Sequence, residues 1–253
     1  MLLAGFDAGQ TSTRCRVCRW QEVGWQIIGE GSGPGVSHLE ASGGAERFRQ
    51  AVLTSLKSAS EGEGERRLDA AVIGASGIEQ SSALQPRATA LLADALSLPE
   101  DRVLATGDER TALRGAFPEG DGIILISGTG MICLGRDRQG KEHRCGGWGW
   151  MLDGAGSAFD LGHQGLQLTL QMADGRRPDH PLRQRMWEQL GCRAHADVKA
   201  WVVQPSRTAA DLAALAPLLV AAADAGLPAA QDILQRSAAA LVSCAATVAR
   251  ELA

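Results

Sequence analysis

The chain has 253 residues, of which 45% are hydrophobic and 21% charged, and its formal net charge is −4. This composition is ordinary for a globular protein and excludes the disordered and fibrous classes. The acidic balance argues against a nucleic-acid partner, no apolar run approaches the roughly 20 residues of a membrane span, and six scattered Cys argue against a disulfide scaffold. We therefore expect a cytoplasmic protein that binds neither nucleic acid nor membrane.

The first part of the chain predicts an α/β unit, because short apolar runs alternate with segments whose apolar residues recur three and four positions apart. In chain order, we expect strands at 2–8, 14–20 and 25–30, a Gly/Pro/Ser loop at 31–35, a helix at 45–59, a polar loop at 61–67, a strand at 68–75, a helix at 83–98, a strand at 102–106 and a helix at 108–115. The order βββαβαβα favours a mostly parallel sheet with covering helices.

The second part repeats the three-strand opening and then becomes helical. The predicted elements are strands at 123–127, 131–136 and 141–144, followed by helices at 158–173, 182–190, 210–225 and 229–252. Residues 200–203 are the only further strand candidate. We therefore predict two lobes, residues 1–117 and 118–253, with the second lobe incomplete at its C-terminal end and the chain ending early.

Two turns at equivalent places in the two lobes carry candidate chemistry. In the first, Asp7 ends a strand and is followed by a turn rich in hydroxyl and backbone N–H groups, which suits a Mg²⁺–phosphate site. In the second, the turn at 127–130 reads Ser-Gly-Thr-Gly and offers another phosphate cradle. The first turn alone is better explained as an ordinary hairpin turn, because Asp, Gly, Ser and Thr dominate turns, and it is the repetition that makes phosphate binding the more specific prediction.

Five motifs in this order resemble the N-acetylglucosamine kinase family, which is grouped with the BadF/BadG/BcrA/BcrD-type ATPases in the sugar kinase, actin and Hsp70 superfamily. They are Asp7–Arg14, Gly74-Ala75-Ser76-Gly77, Thr106-Gly107-Asp108, Ser127-Gly128-Thr129-Gly130 and Gly146-Gly147-Trp148-Gly149. The resemblance covers nearly the whole chain. It implies an α/β fold of two duplicated lobes of the ribonuclease-H-like, actin-like ATPase type.

The resemblance also implies roles for individual residues. Asp7 would organise Mg²⁺, and Asp108 would act as the catalytic base that takes a proton from a sugar hydroxyl; an N-cap role for Asp108 is the structural alternative. The expected ATP contacts are Gly9, Gln10, Thr11, Ser12, Thr13, Gly128 and Thr129. The expected sugar contacts are Ser37, Asp108, Met131, Ile132, Gly147, Trp148, Gly149 and Asp153.

One departure from the family pattern bears on the substrate. Family members read Gly-Asp-Glu-Gly-Ser after the tryptophan loop, whereas this chain reads Asp153-Gly154-Ala155-Gly156-Ser157. The acidic pair is lost and Asp153 lies one position early. Asp153 is therefore open to two interpretations, a shifted sugar ligand or a turn aspartate.

Taken together, the resemblance implies an ATP-dependent kinase for an amino sugar, most simply N-acetylglucosamine or a related N-acetylhexosamine, with ATP and Mg²⁺ as cofactors and a homodimer as one possible assembly. Two alternatives stay open. One is an ATPase that activates a radical dehydratase or reductase, for which the chain shows no suitably spaced Cys ligands. The other is a non-catalytic sugar-binding relative, which is favoured by the altered acidic pair and by the expected early end of the chain. The expected early end also leaves open whether these 253 residues are active.

Overall fold

The computed structural model describes residues 1–60, 67–78 and 83–253, and the described chain forms two compact units, Met1–Glu119 and Gly120–Ala253. The predicted polar loop at 61–67 lies outside the described residues except for its last position.

The first unit is built on one five-stranded mixed sheet. Its elements are β1 (Leu2–Ala8), β2 (Ser12–Gln21), β3 (Gly24–Pro34), α1 (Gly44–Ala59), β4 (Ala70–Ala75), α2 (Leu84–Leu96), β5 (Val103–Thr106) and α3 (Asp108–Ala116), with a short 3₁₀ turn at Glu100–Arg102. The sheet order is β3-β2-β1-β4-β5, in which β1, β2 and β3 pair antiparallel and β1, β4 and β5 pair parallel. The predicted α/β class is confirmed for this unit.

The core of this unit follows from alternation along the strands. Ala4 and Phe6 of β1 are buried and Gly5 between them is exposed, because successive side chains of a strand point to opposite faces. On α1, Phe48 and Val52 are buried at a spacing of four and belong to the same core as Phe6.

The predicted loop at 31–35 is wrong, since β3 continues to Pro34. Gly31 and Gly33 pair with Cys15 and Thr13 of β2 and also lie directly against α1. A Cβ at Gly31 would come within 2.3 Å of the Ser55 carbonyl oxygen. The glycines are therefore strand residues at which only a hydrogen atom fits beneath the helix, a tertiary reason that the Gly-rich sequence does not reveal.

The second unit has a small sheet followed by helices. Its elements are β6 (Gly122–Ser127), β7 (Met131–Arg136), β8 (Glu142–Gly146), α4 (Ala158–Ala173), α5 (Pro181–Gln189), α6 (His195–Val202), α7 (Ala209–Ala213), α8 (Ala216–Asp224) and α9 (Pro228–Glu251). The three strands pair antiparallel in the order β6-β7-β8.

Two sequence predictions in this unit are corrected. Residues 200–203 are not a strand: most of the segment belongs to α6, where Val198 and Trp201 are buried at helical spacing. The predicted helix at 210–225 is two helices. Pro217 lies in the first turn of α8, where its missing N–H costs nothing, and Leu215 between the two helices is fully buried.

Helices α4, α5, α6 and α8 share a second core that includes Leu166, Met186 and Leu219. Helix α9 buries Ile233 and Val248 as its apolar pattern predicts, and Val248 packs against Gly135 of β7. Val242, expected on the same face, is 66% exposed, so the buried face of α9 is narrower than the sequence suggests.

Within the described ranges, no single helix is both long and apolar enough to cross a membrane. Helices α7 and α8 taken with α9 pass that test by length and composition, but only as a pair bent by 118°.

Candidate active site

In the first unit, the parallel strands β1, β4 and β5 end at the same edge of the sheet, and the candidate acidic residues Asp7 and Asp108 lie at that edge. Asp7 of β1 is paired in register with Gly74 of β4, and Gly74 with Thr106 of β5. Because these strands are parallel, their carboxyl ends meet at one sheet edge, which is where ligands bind in open α/β sheets. Asp108 follows Thr106 by two residues and lies close enough to Asp7 for the two charges to interact.

Asp108 is the first residue of α3 and does not cap it. The N-cap is Gly107, in an extended conformation, and the Asp108 Oδ1 accepts a hydrogen bond of 3.0 Å from the backbone N–H of Glu109. Burial raises the pKa of Asp108, a hydrogen bond with the Glu109 carboxyl group works in the opposite direction, and the charge of Asp7 raises it further. A carboxyl group with a raised pKa is a stronger base than an exposed one.

Glu109 is a site residue that the sequence reasoning missed. It is 6% exposed, its Oε1 accepts from Arg110 Nη1 at 2.7 Å, and its carboxyl group shares a hydrogen bond with that of Asp108. Burial is the main cause that raises the pKa of Glu109, and the charge of Arg110 opposes it while the hydrogen bond shared with Asp108 raises it. The sequence signal that could have predicted its burial is its spacing of four from Leu113, the other buried residue of α3.

The turn after Asp7, the predicted first phosphate turn, is a closed and anchored loop. The Gly9 N–H donates to the Ser12 carbonyl at 3.0 Å, and the Val36 N–H donates to the Gly9 carbonyl at 3.0 Å. A Cβ at Gly35 would lie 2.1 Å from the Gln10 carbonyl oxygen, so the backbone of the next segment is pressed against the turn.

The predicted ATP contacts in this turn differ in their exposure to solvent. Gln10, Thr11 and Ser12 are exposed and Gly9 is half-buried. Thr13 is fully buried on β2, and its hydroxyl has no hydrogen-bond partner in the described chain. The side chains available to a phosphate are therefore those of residues 10–12, and the Thr13 side chain belongs to the sheet interior.

Ser37, the predicted sugar contact of this unit, is half-buried after β3. Its Oγ accepts a hydrogen bond of 2.7 Å from Arg47 Nε on α1. The hydroxyl proton is still available for donation, so Arg47 orients the group without consuming its donor.

Asp7 is a single exposed carboxylate on β1. No group of three or more His, Cys, Asp or Glu side chains with metal-binding geometry occurs in residues 1–60, 67–78 and 83–253. A lone carboxylate fits Mg²⁺ that arrives with substrate phosphates and waters as its other ligands, which is how proteins usually hold this ion in nucleotide sites.

In the second unit, the turn between β6 and β7 is fastened to the start of α4. The Ala158 N–H donates to the Gly128 carbonyl at 2.8 Å, and the Ser127 Oγ donates to the Gly156 carbonyl at 2.7 Å. The turn thus lies at the positive end of the α4 dipole. Gly128 is exposed and Thr129 half-buried, so this turn presents the predicted phosphate contacts at a helix N-terminus.

The structure brings the predicted sugar-binding residues of this unit together around one glycine loop. Gly146, Gly147 and Gly149 have φ values of 76°, 77° and 89°, a region that favours glycine. A Cβ at Gly147 would lie 2.8 Å from Ile132 Cδ1, and one at Gly146 would lie 2.6 Å from Met131 Sδ. Met131 and Ile132 therefore support the loop from beneath, and Met131 is buried there.

Trp148 projects from this loop and is 61% exposed. Arg144 lies over its ring at 4.4 Å and donates to the carbonyl oxygens of Gly146 and Gly147, which fixes both the ring and the loop. The Asp153 N–H donates to the Gly149 carbonyl at 2.8 Å, and its carboxylate lies on the Gly146 side of the loop. Asp153 is thus a turn residue by its backbone and faces the glycine loop by its side chain.

The chain is similar to known sugar kinases. The chain is 32% identical over 114 residues to the N-acetylmuramic acid/N-acetylglucosamine kinase of Clostridium acetobutylicum, a match that covers 45% of this chain and 37% of that protein. It is 33% identical over 132 residues to the N-acetyl-D-glucosamine kinase of Dictyostelium discoideum, covering 52% and 41%. The matches thus span less than half the length of these curated relatives.

A solved structure from Chromobacterium violaceum, provisionally named an N-acetylglucosamine kinase, superposes with a TM-score of 0.79 at 28% identity and covers 96% of this chain and 81% of that one. The sequence also matches the model of a protein family over residues 4–253, which is nearly its whole length. The chain therefore belongs to the BadF/BadG/BcrA/BcrD ATPase family.

Proposed function

We propose that this protein transfers the γ-phosphoryl group of ATP to a hydroxyl group of an amino sugar, N-acetylglucosamine or a related N-acetylhexosamine. The family, and the kinases to which the chain is similar, support this proposal. The observation that carries it is Asp108, a partly buried carboxyl group with a raised pKa at the edge where β1, β4 and β5 end.

In the proposed reaction, the Asp108 carboxylate accepts the proton of the sugar hydroxyl as the hydroxyl oxygen forms its bond to the γ-phosphorus and ADP leaves. Phosphoryl transfer of this kind depends mainly on positioning and on neutralisation of charge. The raised pKa of Asp108 suits it to hold that proton until the product departs.

The two anchored turns would bind the phosphates. Gln10, Thr11 and Ser12 offer exposed donors in the first unit, and Gly128 and Thr129 offer theirs beside the N-terminus of α4. Asp7 would hold Mg²⁺, which neutralises phosphate charge when it is bound. Both units open with a three-stranded antiparallel meander whose first two strands are joined by such a turn, which supports the duplicated ribonuclease-H-like plan.

The glycine loop of the second unit would bind the sugar. Trp148 offers a flat apolar face, the kind of surface on which a sugar ring stacks, and Asp153 offers a carboxylate that accepts hydrogen bonds from hydroxyl groups. Ser37, whose hydroxyl is oriented by Arg47, stays a proposed sugar contact.

Incubation of the protein with ATP, Mg²⁺ and N-acetylglucosamine, followed by mass spectrometry, tests the proposal. We expect ADP and a sugar monophosphate in equal amounts, with N-acetylmuramic acid and glucose as comparison acceptors. ADP formed at the same rate with and without sugar would contradict a kinase, and sugar binding without turnover would favour the non-catalytic alternative.

A further inference from the structure

A buried acidic residue beside the proposed base has no role in the reaction described so far. Glu109 is adjacent to Asp108 in sequence, yet its side chain is only 8% exposed. Burying a carboxyl group costs free energy unless it is paired and hydrogen-bonded. Glu109 therefore needs a structural or a functional reason for its position.

The contacts of Glu109 form a short chain that leads to Asp108. Arg110 Nη1 donates to Glu109 Oε1 at 2.7 Å, and the Arg110 side chain is itself only 15% exposed. The Glu109 carboxyl group shares a hydrogen bond with the Asp108 carboxyl group, and the Glu109 N–H donates to Asp108 Oδ1 at 3.0 Å. Asp108 is thus hydrogen-bonded to both the backbone and the side chain of the following residue.

The surrounding backbone leaves room for this arrangement. A Cβ at Gly107 would lie 2.2 Å from Glu109 Oε2 and 2.3 Å from Oε1, so the carboxyl group of Glu109 occupies the space that a side chain at position 107 would need. The Thr111 hydroxyl donates to the Asp108 carbonyl at 2.8 Å, a further hydrogen bond within the first turn of α3.

We propose that Glu109 is a positioning residue, whose carboxyl group, held by Arg110, fixes the orientation of the Asp108 carboxylate for removal of the proton from the sugar hydroxyl. This inference rests on the proposed kinase function. An isolated aspartate rotates freely about its side-chain bonds, and groups that are free to rotate spend little time in a reactive geometry. Catalytic groups are therefore commonly locked by a second set of hydrogen bonds.

Two conservative substitutions separate this role from a structural one. Glu109→Gln keeps the side-chain length and a hydrogen-bond donor, so we expect kcat to stay within about threefold of the parent value. Glu109→Asp keeps a carboxyl group that can accept from Arg110 but shortens the reach by one methylene, and we expect kcat to fall about 10- to 100-fold, the usual cost of misplacing a reacting group by about 1 Å. The KM values for ATP and sugar should change little in either variant.

The control is Glu46→Asp, because Glu46 is an exposed acidic residue in the first turn of α1, the same helical region as Glu109 in α3. Unfolding temperatures and sugar affinities of all variants are measured in parallel. A loss of kcat in Glu109→Asp with retention in Glu109→Gln and in the control supports the inference. Equal activity of the two Glu109 variants, the reverse order, or a loss that follows the unfolding temperature overturns it.

Asp108→Asn distinguishes this inference from the proposed function. If Asp108→Asn is inactive and Glu109→Asp is fully active, the positioning role alone is wrong. If Asp108→Asn is as active as the parent protein, or the parent protein does not phosphorylate an amino sugar, the proposed function fails and the role of Glu109 fails with it.

Discussion

Ser237 Oγ donates a hydrogen bond of 2.9 Å to Asp160 Oδ2, which ties α9 to the first turn of α4 across 77 residues of sequence. The same carboxylate oxygen accepts from the Gly156 N–H at 3.1 Å, and Asp160 Oδ1 accepts from Gln164. Asp160 therefore links the last helix to the segment that holds the Ser127–Gly130 turn.

Asp160→Ala is expected to reduce the free energy of unfolding by about 1–3 kcal/mol, because the Gly156 N–H and the Ser237 hydroxyl lose their acceptor. Urea unfolding monitored by circular dichroism measures the change. Asp232→Ala, at an exposed position of α9, is the control and should change stability by less than about 0.5 kcal/mol. Equal effects of the two substitutions would contradict the linking role of Asp160.

Asp108→Asn is expected to lower phosphoryl transfer by about 10²–10⁴, because removal of a general base has effects of this size. Sugar affinity should stay within about tenfold, since the amide keeps the shape of the carboxylate and about one hydrogen bond. Steady-state kinetics and calorimetry measure the two quantities separately. Near-parental turnover would remove Asp108 from the reaction.

The same substitution has a predicted effect on stability. Because burial raises the pKa of Asp108, the folded protein binds this proton more tightly than the unfolded chain does. The group therefore favours folding below the ordinary aspartate pKa, and this contribution is lost as pH rises through the raised pKa. Asp108→Asn should unfold at a higher temperature than the parent at pH 7, and the difference should shrink toward pH 4. A constant difference across that range would contradict the raised pKa.

Thr129→Val is expected to weaken ATP-Mg²⁺ binding about tenfold or more, because it removes the hydroxyl donor that we propose contacts the charged phosphates while keeping the side-chain volume. Sugar affinity should not change. Calorimetry with each ligand tests the prediction, and Thr54→Val at an exposed position of α1 is the matched control. Unchanged nucleotide affinity would mean that the turn at 127–130 is only a hairpin.

Gly35→Ala is expected to weaken ATP-Mg²⁺ binding, because the added Cβ would lie 2.1 Å from the Gln10 carbonyl and must displace the first phosphate turn. Gly5→Ala is the control, since a Cβ at Gly5 meets no atom within 4 Å. Nucleotide affinities of the two variants are compared by calorimetry after confirming equal far-ultraviolet spectra. Parental affinity in Gly35→Ala would show that the turn moves without loss of function.

Most strands and helices could be predicted from the sequence, because their periodicities are local. The exceptions depended on contacts between distant residues. Gly31 and Gly33 are in β3 because α1 leaves no space for side chains there, and residues 200–203 are mostly helical because Val198 and Trp201 bury one face of α6.

The sequence by itself determined the family and the places of the glycine loop and of the two turns that we propose bind phosphate, because these rest on residue types at short spacing. Only the tertiary structure decided which of those residues are exposed. It buried Thr13 within the sheet, placed Met131 beneath the glycine loop and brought the Glu109 carboxyl group out of solvent onto Asp108. Burial and pairing of this kind depend on what packs against a residue from elsewhere in the chain, which local spacing does not encode.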